Sequence, residues 1–308
     1  YMKCKPIALT LGDYNGIGPK CIELALKNIS LKNKKFYIIG DRDIFNKLNF
    51  PKSTSIELID VKNKISFNPG KPTKMSGKAS LNYIDEAIRL INNKKISGLV
   101  TGPISKEAIQ KAGSLFKGHT DLLESKFHSE NVIMAFWSKK IKVSLSTIHV
   151  PLVEVVDHLD SKKLFNQLQS IDKNFSKLLK KKPKIALCAI NPHSSENGAI
   201  GNHDMKITYP AIKMARNKGI DVHGPFPADT LFIKKNIQAF DLFHAIYHDQ
   251  GLIPFKMLSF DTGVNFTLNL PFIRTSPDHG TAFDIAWKKK PNSKSMVEAI
   301  RLALKLQI

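Results

Sequence analysis

Short apolar runs alternate with longer amphipathic segments along almost all of the 308 residues. PIALTLG, KFYIIGD, IELID, SGLVTGP, VIMAFW, KVSLSTIH, KIALCAINPH, LFHAIYH and VNFTLNL read as strands. Several are apolar on both faces, as in a sheet covered on each side. The helical segments between them carry start and stop signals. Pro19 suits a first turn after Gly18, Ser76 opens GKASLNYIDEAIRLINN, and Ser105 opens SKEAIQKAG, which stops at Gly113. SKKLFNQLQSIDKNFSKLLKKK and HDMKITYPAIKMARNKG read as further long helices, the second started or interrupted by Pro210. This order predicts an α/β fold with a largely parallel sheet. The length lies where single cores begin to split into two lobes, and no repeat or flexible linker separates them.

The first of these strands runs into LTLGDYNGIGPK, three glycines ahead of a helix. A dinucleotide fingerprint needs G-x-G-x-x-G, whereas this loop reads G-x-x-x-G-x-G-P. It is therefore expected to be a first-strand turn, with Pro19 starting the helix.

The formal charge of +21 raises the possibility of a nucleic-acid surface. Only Arg42, Arg89, Arg216, Arg274 and Arg301 among the 47 basic residues are arginine, and the lysines are spread along the chain. No aromatic-basic platform or reader module accompanies them, so a solvated surface that attracts an anionic small substrate is expected instead. Cys4, Cys21 and Cys188 contain no C-x-x-C pair, which fits a reducing cytosol. No apolar run approaches bilayer length, and the short patch near the start runs into Gly12-Asp13. A cytoplasmic protein is expected.

Ligands of open α/β sheets bind beyond the carboxyl ends of the strands. Three of the expected strands end in histidine, at His149, His193 and His248. Each is followed by a break: Pro151, Ser194 to Gly198, and Asp249-Gln250-Gly251. Three imidazoles at equivalent ends, each oriented by a neighbour such as Asp249 or Glu196, suit a divalent metal, provided the fold makes them converge. His128, His158, His203 and His223, on helices or beside loops, are read as structural, and His244 as a satisfied partner inside a strand. His119 and Thr120 open a helix, where they form either an anion site or a simple cap. Lys256, Asn265 and Arg274 suit a phosphate, carboxylate or polar substrate group.

GDYNGIGPK, VTGPISKEA, GHTDLLES, STIHVPL, NPHSSENGAIG, GPFPADTLF, YHDQGLIPFK and FTLNLPFIRTSPDHGTAFDIA together resemble the 4-hydroxythreonine-4-phosphate dehydrogenase family, in order from about residue 7 to 287. The resemblance implies an isocitrate/isopropylmalate dehydrogenase-like three-layer αβα fold. It has two closely joined lobes, approximately 2–130 plus 250–308 on the cofactor side and 131–249 on the central, dimerisation and metal side, with the active site in the cleft between them. It implies a homodimer with shared active sites, no nucleic acid and no membrane.

The implied reaction is oxidation of 4-phosphooxy-L-threonine by NAD or NADP to 2-amino-3-oxo-4-phosphooxybutanoate, which decarboxylates to 3-amino-2-oxopropyl phosphate on the way to vitamin B6. The matched motifs make His149, His193 and His248 ligands of a divalent metal, of which zinc, cobalt, nickel and magnesium are the candidates. They make His119, Thr120, Lys256, Asn265 and Arg274 substrate contacts. Asp249 and Asp229 are candidate catalytic groups, with Asp249 either orienting His248 or accepting the proton. By analogy with isocitrate dehydrogenases, His279, Gly280, Thr281 and Asp284 would lie against the adenosine of the cofactor.

Tyr14, Lys20, Asp121, His203-Asp204 and Trp287 depart from the pattern of the family. Trp287 stands where the cofactor loop normally has glycine. A metal-dependent hydrolase or phosphate-transfer enzyme on the same scaffold is the competing expectation.

Overall fold

The computed structural model describes residues 5–116, 118–129 and 132–307. Cys4 lies outside them, while Cys21 and Cys188 are buried free thiols. In chain order the elements are β1 (Ile7–Thr10), α1 (Gly18–Lys27), β2 (Phe36–Gly40), α2 (Arg42–Phe45), β3 (Ile56–Asp60), α3 (Lys74–Asn92), β4 (Gly98–Thr101), α4 (Lys106–Lys111) and α5 (His119–Phe127). Then come β5 (Ile133–Trp137), β6 (Lys142–Leu145), α6 (Ser161–Leu179), β7 (Ile185–Cys188), α7 (Tyr209–Asn217), β8 (Val222–Phe226), α8 (Ala228–Leu231), α9 (Lys234–Ala239), β9 (Leu242–Ala245), α10 (His248–Ser259) and β10 (Val264–Leu268). The chain closes with β11 (Ile273–Pro277) and α11 (Lys294–Leu306).

Two compact units result, Tyr1–Ser129 with Leu270–Ile308, and Glu130–Asn269. The second boundary falls after residue 269 rather than near 249, because α10 packs on β6 and β9 and β10 pairs along its length with β5. The first unit holds an all-parallel sheet in the order β3-β2-β1-β4-β11. In the second the order is β10-β5-β6-β9-β7-β8, antiparallel at its first two pairings and parallel onward. β1, β4, β7 and β9 are buried at every position, as strands covered on both faces must be. Each Leu, Ile or Phe buried in this way contributes about 1.5–3 kcal/mol of transfer free energy.

All nine expected strands form, and β8 and β11 are additional, so His223 lies in a strand rather than on a helix or beside a loop. Ser76 does not cap α3. Thr73 is the cap: its Oγ1 accepts the Ser76 N–H at 3.0 Å while Ser76 Oγ accepts the Thr73 N–H at 3.2 Å, a reciprocal pair that moves the helix start three residues earlier. Pro210 sits in the first turn of α7, preceded by one wide π-helical turn, Asp204–Thr208.

The glycine loop after β1 owes its composition to crowding. Gly12 has φ 71°, and a Cβ there would stand 2.3 Å from the carbonyl oxygen of Pro103. A Cβ on Gly16 would stand 2.9 Å from the Thr281 carbonyl oxygen, which accepts the Ile17 N–H at 2.9 Å. Only glycine lets the loop seat this closely against the 279–284 segment.

Candidate active site

β6, β9 and β7 are successive neighbours in a parallel sheet, so their carboxyl ends emerge side by side about 5 Å apart. His149, His248 and His193 follow those ends, and Asp229 follows β8, the next strand. Hydrogen bonds stitch the edge together. Thr147 Oγ1 donates to the Ile246 carbonyl at 2.8 Å, the Ile246 N–H donates to Gln250 Oε1 at 2.7 Å, and Gln250 Nε2 donates to the Ala189 carbonyl at 2.8 Å. These bridges run from β6 through β9 to β7.

His149 and His248 face each other with ring centroids 5.8 Å apart and line one cavity of about 270 Å³ with Thr147, Tyr247 and Asp249. His248 is the first residue of α10, so the expected break after β9 is a helix start. Its Nδ1 lies 2.7 Å from Asp249 Oδ1. A carboxylate only accepts, so Nδ1 carries the proton in this contact, the tautomer that in a neutral ring leaves the Nε2 lone pair for a ligand. His149 sits at φ 49°, a left-handed conformation that non-glycine residues adopt mainly where the surroundings enforce it.

His193 does not join the pair. Among the described residues no group of three or more His, Cys, Asp or Glu side chains is placed to hold a metal ion. It sits in an unusual turn of its own. His193 to Asn197 have φ 51°, 53°, 66°, 40° and 55°, five left-handed residues in succession. Each costs about 1–2 kcal/mol unless held. Buried Asp204 holds them: its carboxylate accepts the Ile190 N–H at 2.8 Å, the Asn191 N–H at 2.9 Å, and the hydroxyls of Ser195 and Thr208 at 2.8 Å each. Ser194 Oγ ties the turn to β8 through the Pro225 carbonyl at 2.9 Å. The imidazole of His193 is left exposed, and no hydrogen bond to Glu196 orients it among the described residues.

The expected substrate contacts divide between the units. Arg274 in β11 is buried, 4% exposed, and donates from Nη2 to Thr101 Oγ1 at 2.9 Å. Burial lowers its pKa to about 10, so it stays charged at neutral pH. Burial, and then the charge of Arg274, hold the His119 pKa well below the usual imidazole value, so the ring is neutral. Its Nε2 is sealed from solvent with no hydrogen-bond partner. Gly118 rather than Thr120 caps α5, which places His119 and Thr120 in the first turn with their N–H groups outside the helical ladder. Asn265 lies in β10 with its Oδ1 buried and unpartnered, and Lys256 lies on α10 with Nζ 5.7 Å from the Phe260 ring centre. In the 279–284 segment His279 Nδ1 contacts the Gly280 carbonyl at 3.0 Å, and Gly280 and Asp284 are exposed.

Thr147, Gln250 and Asp204 were not singled out as site residues from sequence, since polar residues that serve a backbone carry no spacing signal. Asp204 was visible only as part of a departure from the family pattern. His244 is held by Ser144 Oγ at 2.9 Å on Nδ1, but its Nε2 is buried and unpartnered, so it is only half satisfied. Burial outweighs the Ser144 bond and lowers its pKa to about 4.

Residues 9–303 match the family described as "Pyridoxal phosphate biosynthetic protein PdxA". The chain is 38% identical over 320 residues to 4-hydroxythreonine-4-phosphate dehydrogenase of Sulfurihydrogenibium sp. (strain YO3AOP1), covering 98% of each. It is 36% identical over 326 residues to D-threonate 4-phosphate dehydrogenase of Salmonella typhimurium, covering 99% of this chain and 100% of that one. The crystal structure of 4-hydroxythreonine-4-phosphate dehydrogenase from Klebsiella pneumoniae superposes with a TM-score of 0.87 at 34% identity, covering 99% of this chain and 98% of that one. Isocitrate dehydrogenase from Methylococcus capsulatus is 12% identical with a TM-score of 0.53, over 98% of this chain and 85% of that one, a likeness of fold alone.

Proposed function

The chain belongs to the PdxA family, and on that premise we propose that it is an NAD(P)-dependent 4-hydroxythreonine-4-phosphate dehydrogenase of pyridoxal phosphate biosynthesis. The substrate would be 4-phosphooxy-L-threonine, oxidised at C3 to 2-amino-3-oxo-4-phosphooxybutanoate. That ketone is β to the carboxylate, so loss of carbon dioxide to 3-amino-2-oxopropyl phosphate follows from its chemistry.

The observation that carries the reading is the facing pair His149 and His248, with the tautomer of His248 set by Asp249. Two imidazoles at adjacent strand ends, one held by a carboxylate through its Nδ1, fit a divalent ion, and the exposed imidazole of His193, apart from the pair on the neighbouring strand's loop, is proposed as a third ligand recruited when the ion binds. Imidazole suits zinc or cobalt better than magnesium. Bound there, the ion would supply Lewis-acid polarisation of the substrate hydroxyl, and the nicotinamide would supply the hydride acceptor.

The chain's own groups do the rest. Charged Arg274 suits the substrate phosphate or carboxylate, and neutral His119, with a sealed and unpartnered Nε2, has one hydrogen bond to offer a substrate oxygen. Thr120, Lys256 and Asn265 are proposed as further substrate contacts. Asp249 is committed to His248, so we assign the proton-accepting role to Asp229, exposed in the first turn of α8. His279, Gly280, Thr281 and Asp284 are proposed to receive the adenosine, because they lie on a loop whose backbone the Gly16 turn fixes.

A homodimer is supported by α10 and its C-cap residue Phe260, which expose Ile253 (59%), Met257 (81%) and Phe260 (73%) at i, i+4 and i+7. An apolar stripe of this kind is unfavourable in water unless another surface covers it. The buried free thiols suit the cytoplasm, and among the described residues no helix is long and apolar enough to cross a membrane.

A second reading has its own support in the 36% identity to a D-threonate 4-phosphate dehydrogenase. Threonate carries a hydroxyl where threonine carries its amine. The deciding experiment follows reduced-nicotinamide absorbance with each of the two phosphorylated substrates, with NAD and with NADP, before and after chelation and re-addition of a divalent ion. Turnover of the threonine compound that chelator abolishes supports the proposal. Preference for the threonate compound assigns the second reading, and release of inorganic phosphate in a parallel assay without nicotinamide would indicate a hydrolase.

A further inference from the structure

Lys20 and Trp287, two residues that set this chain apart from the family pattern, line the same cavity of about 390 Å³ in the first unit. Three separate segments build it. α1 presents Lys20, Glu23 and Lys27 along one face, Lys47 follows α2, and the turn after the 279–284 segment adds Trp287 with Lys288, Lys289 and Lys290. Six of its nine lining residues are thus lysines, facing a single carboxylate. Glu23 is itself buried, 1% exposed, and accepts from Lys20 Nζ at 2.6 Å and Lys27 Nζ at 2.5 Å. Lys47 Nζ stands 4.9 Å from the ring centre of Phe67. Lys288, Lys289 and Lys290 are exposed and have no ion-pair partner among the described residues.

The wall behind the lysines is fixed. Trp287 stands at φ 61°, where a bulky side chain is strained. Its Nε1–H donates to the Tyr14 carbonyl at 2.9 Å, and its indole meets Phe67 edge-on at 4.9 Å. The hydroxyl of Tyr14 in turn donates to the Ser66 carbonyl at 3.3 Å. The indole is thus anchored on the backbone of residue 14, while the Tyr14 side chain, a third departure from the family pattern, ties that turn to the Ser66 segment. Like charges gathered around a concave surface repel one another, and the low-dielectric wall focuses their field outward. A multiply charged anion relieves that repulsion at several ammonium groups together. The volume lies within the range of small-molecule sites, about 300–1,000 Å³.

We propose that this pocket binds a compound bearing a di- or polyphosphate group, at a site that shares no residue with the histidine pair, the Arg274 group or the 279–284 segment. The shared chemistry has two possible sources, a free polyphosphate compound or the phosphates of a nucleotide cofactor.

Pyrophosphate is the probe, titrated by calorimetry and by the fluorescence of Trp287 in a Trp137→Phe background, which leaves one indole. We expect a saturable fluorescence change. The triple variant Lys288→Ala, Lys289→Ala, Lys290→Ala should weaken it at least tenfold while leaving thermal stability unchanged, and Lys289→Ala alone should weaken it less. Parallel titrations with NAD and NADP separate the sources: weaker NADP binding in the triple variant assigns the site to the cofactor, and unchanged NAD and NADP binding assigns it to a free compound. Absence of saturable heat and fluorescence change overturns the proposal. So does the same response to sodium chloride at matched ionic strength, or undiminished pyrophosphate binding in the triple variant.

Discussion

His248 donates its Nδ1–H to Asp249 Oδ1 across 2.7 Å, and the two are consecutive residues in the first turn of α10. The contact spends the carboxylate on orienting the ring. Asp249→Ala is expected to lower divalent-ion affinity by about 10–100-fold. Asp249→Asn, which keeps a neutral acceptor, should lie between that variant and the parent. Metal titration monitored by cobalt absorption checks this. A variant that loses turnover with a shifted pH profile but binds cobalt like the parent would make Asp249 the proton acceptor instead.

Asp204 governs the turn that carries His193. Replacing it with alanine strands two backbone N–H groups and two hydroxyls in a buried site, at about 1–3 kcal/mol for each group left unpaired. Thr208→Val removes one donor and should cost about 1 kcal/mol. Amide hydrogen exchange over residues 190–201 should accelerate strongly in Asp204→Ala and slightly in Thr208→Val. Equal protection in all three proteins would show that the left-handed turn is held by something else.

Asp13 supplies a pH test. Burial raises its carboxyl from 3.8 to about 6, against smaller opposing bonds from the Asn15 N–H and Ser76 Oγ. Between those values the folded protein holds a proton that the unfolded chain releases, so this group's contribution to stability falls as pH rises through that window and is flat above it. Asp13→Asn keeps an acceptor for the Asn15 N–H and never ionises. It should match the parent near pH 4 and exceed it by on the order of 2 kcal/mol at pH 7.5. Thermal melts of both proteins across the range read the difference. The comparison also cancels His244, whose lowered pKa acts oppositely and removes stability as pH falls from 6.5 towards 4.

The exposed face of α10 predicts the oligomer. Met257→Glu places a charge at the centre of the Ile253–Met257–Phe260 stripe and should convert a dimer to a folded monomer, as read by light scattering with circular dichroism. A parent protein that is already monomeric at micromolar concentration would refute the dimer.

Much of this architecture is legible in the sequence because parallel strands buried on both faces are continuous apolar runs. β8 and β11 escape for the opposite reason. VHGPF carries histidine, glycine and proline, and IRTSP buries Arg274, Thr275 and Ser276 rather than apolar side chains. The three histidines are conspicuous one by one, yet their neighbourhood depends on β9 inserting between β6 and β7, an order written in no local pattern. The turn that carries His193 is less accessible still, since it consists of five left-handed residues held by a carboxylate farther along the chain.

The second unit is one uninterrupted length of chain, and its first and last strands, β5 and β10, pair with each other from Ile133–Leu268 to Trp137–Val264. The first unit is assembled from two separate lengths of chain, and β11 and α11 join it only after the whole of the second unit has been traversed. During synthesis the later-starting unit therefore finishes first. The histidine-bearing unit closes within one stretch of chain, whereas the unit carrying Arg274 and the lysine pocket must bring β11 back to β4 across the whole length of the second unit, the slower kind of closure.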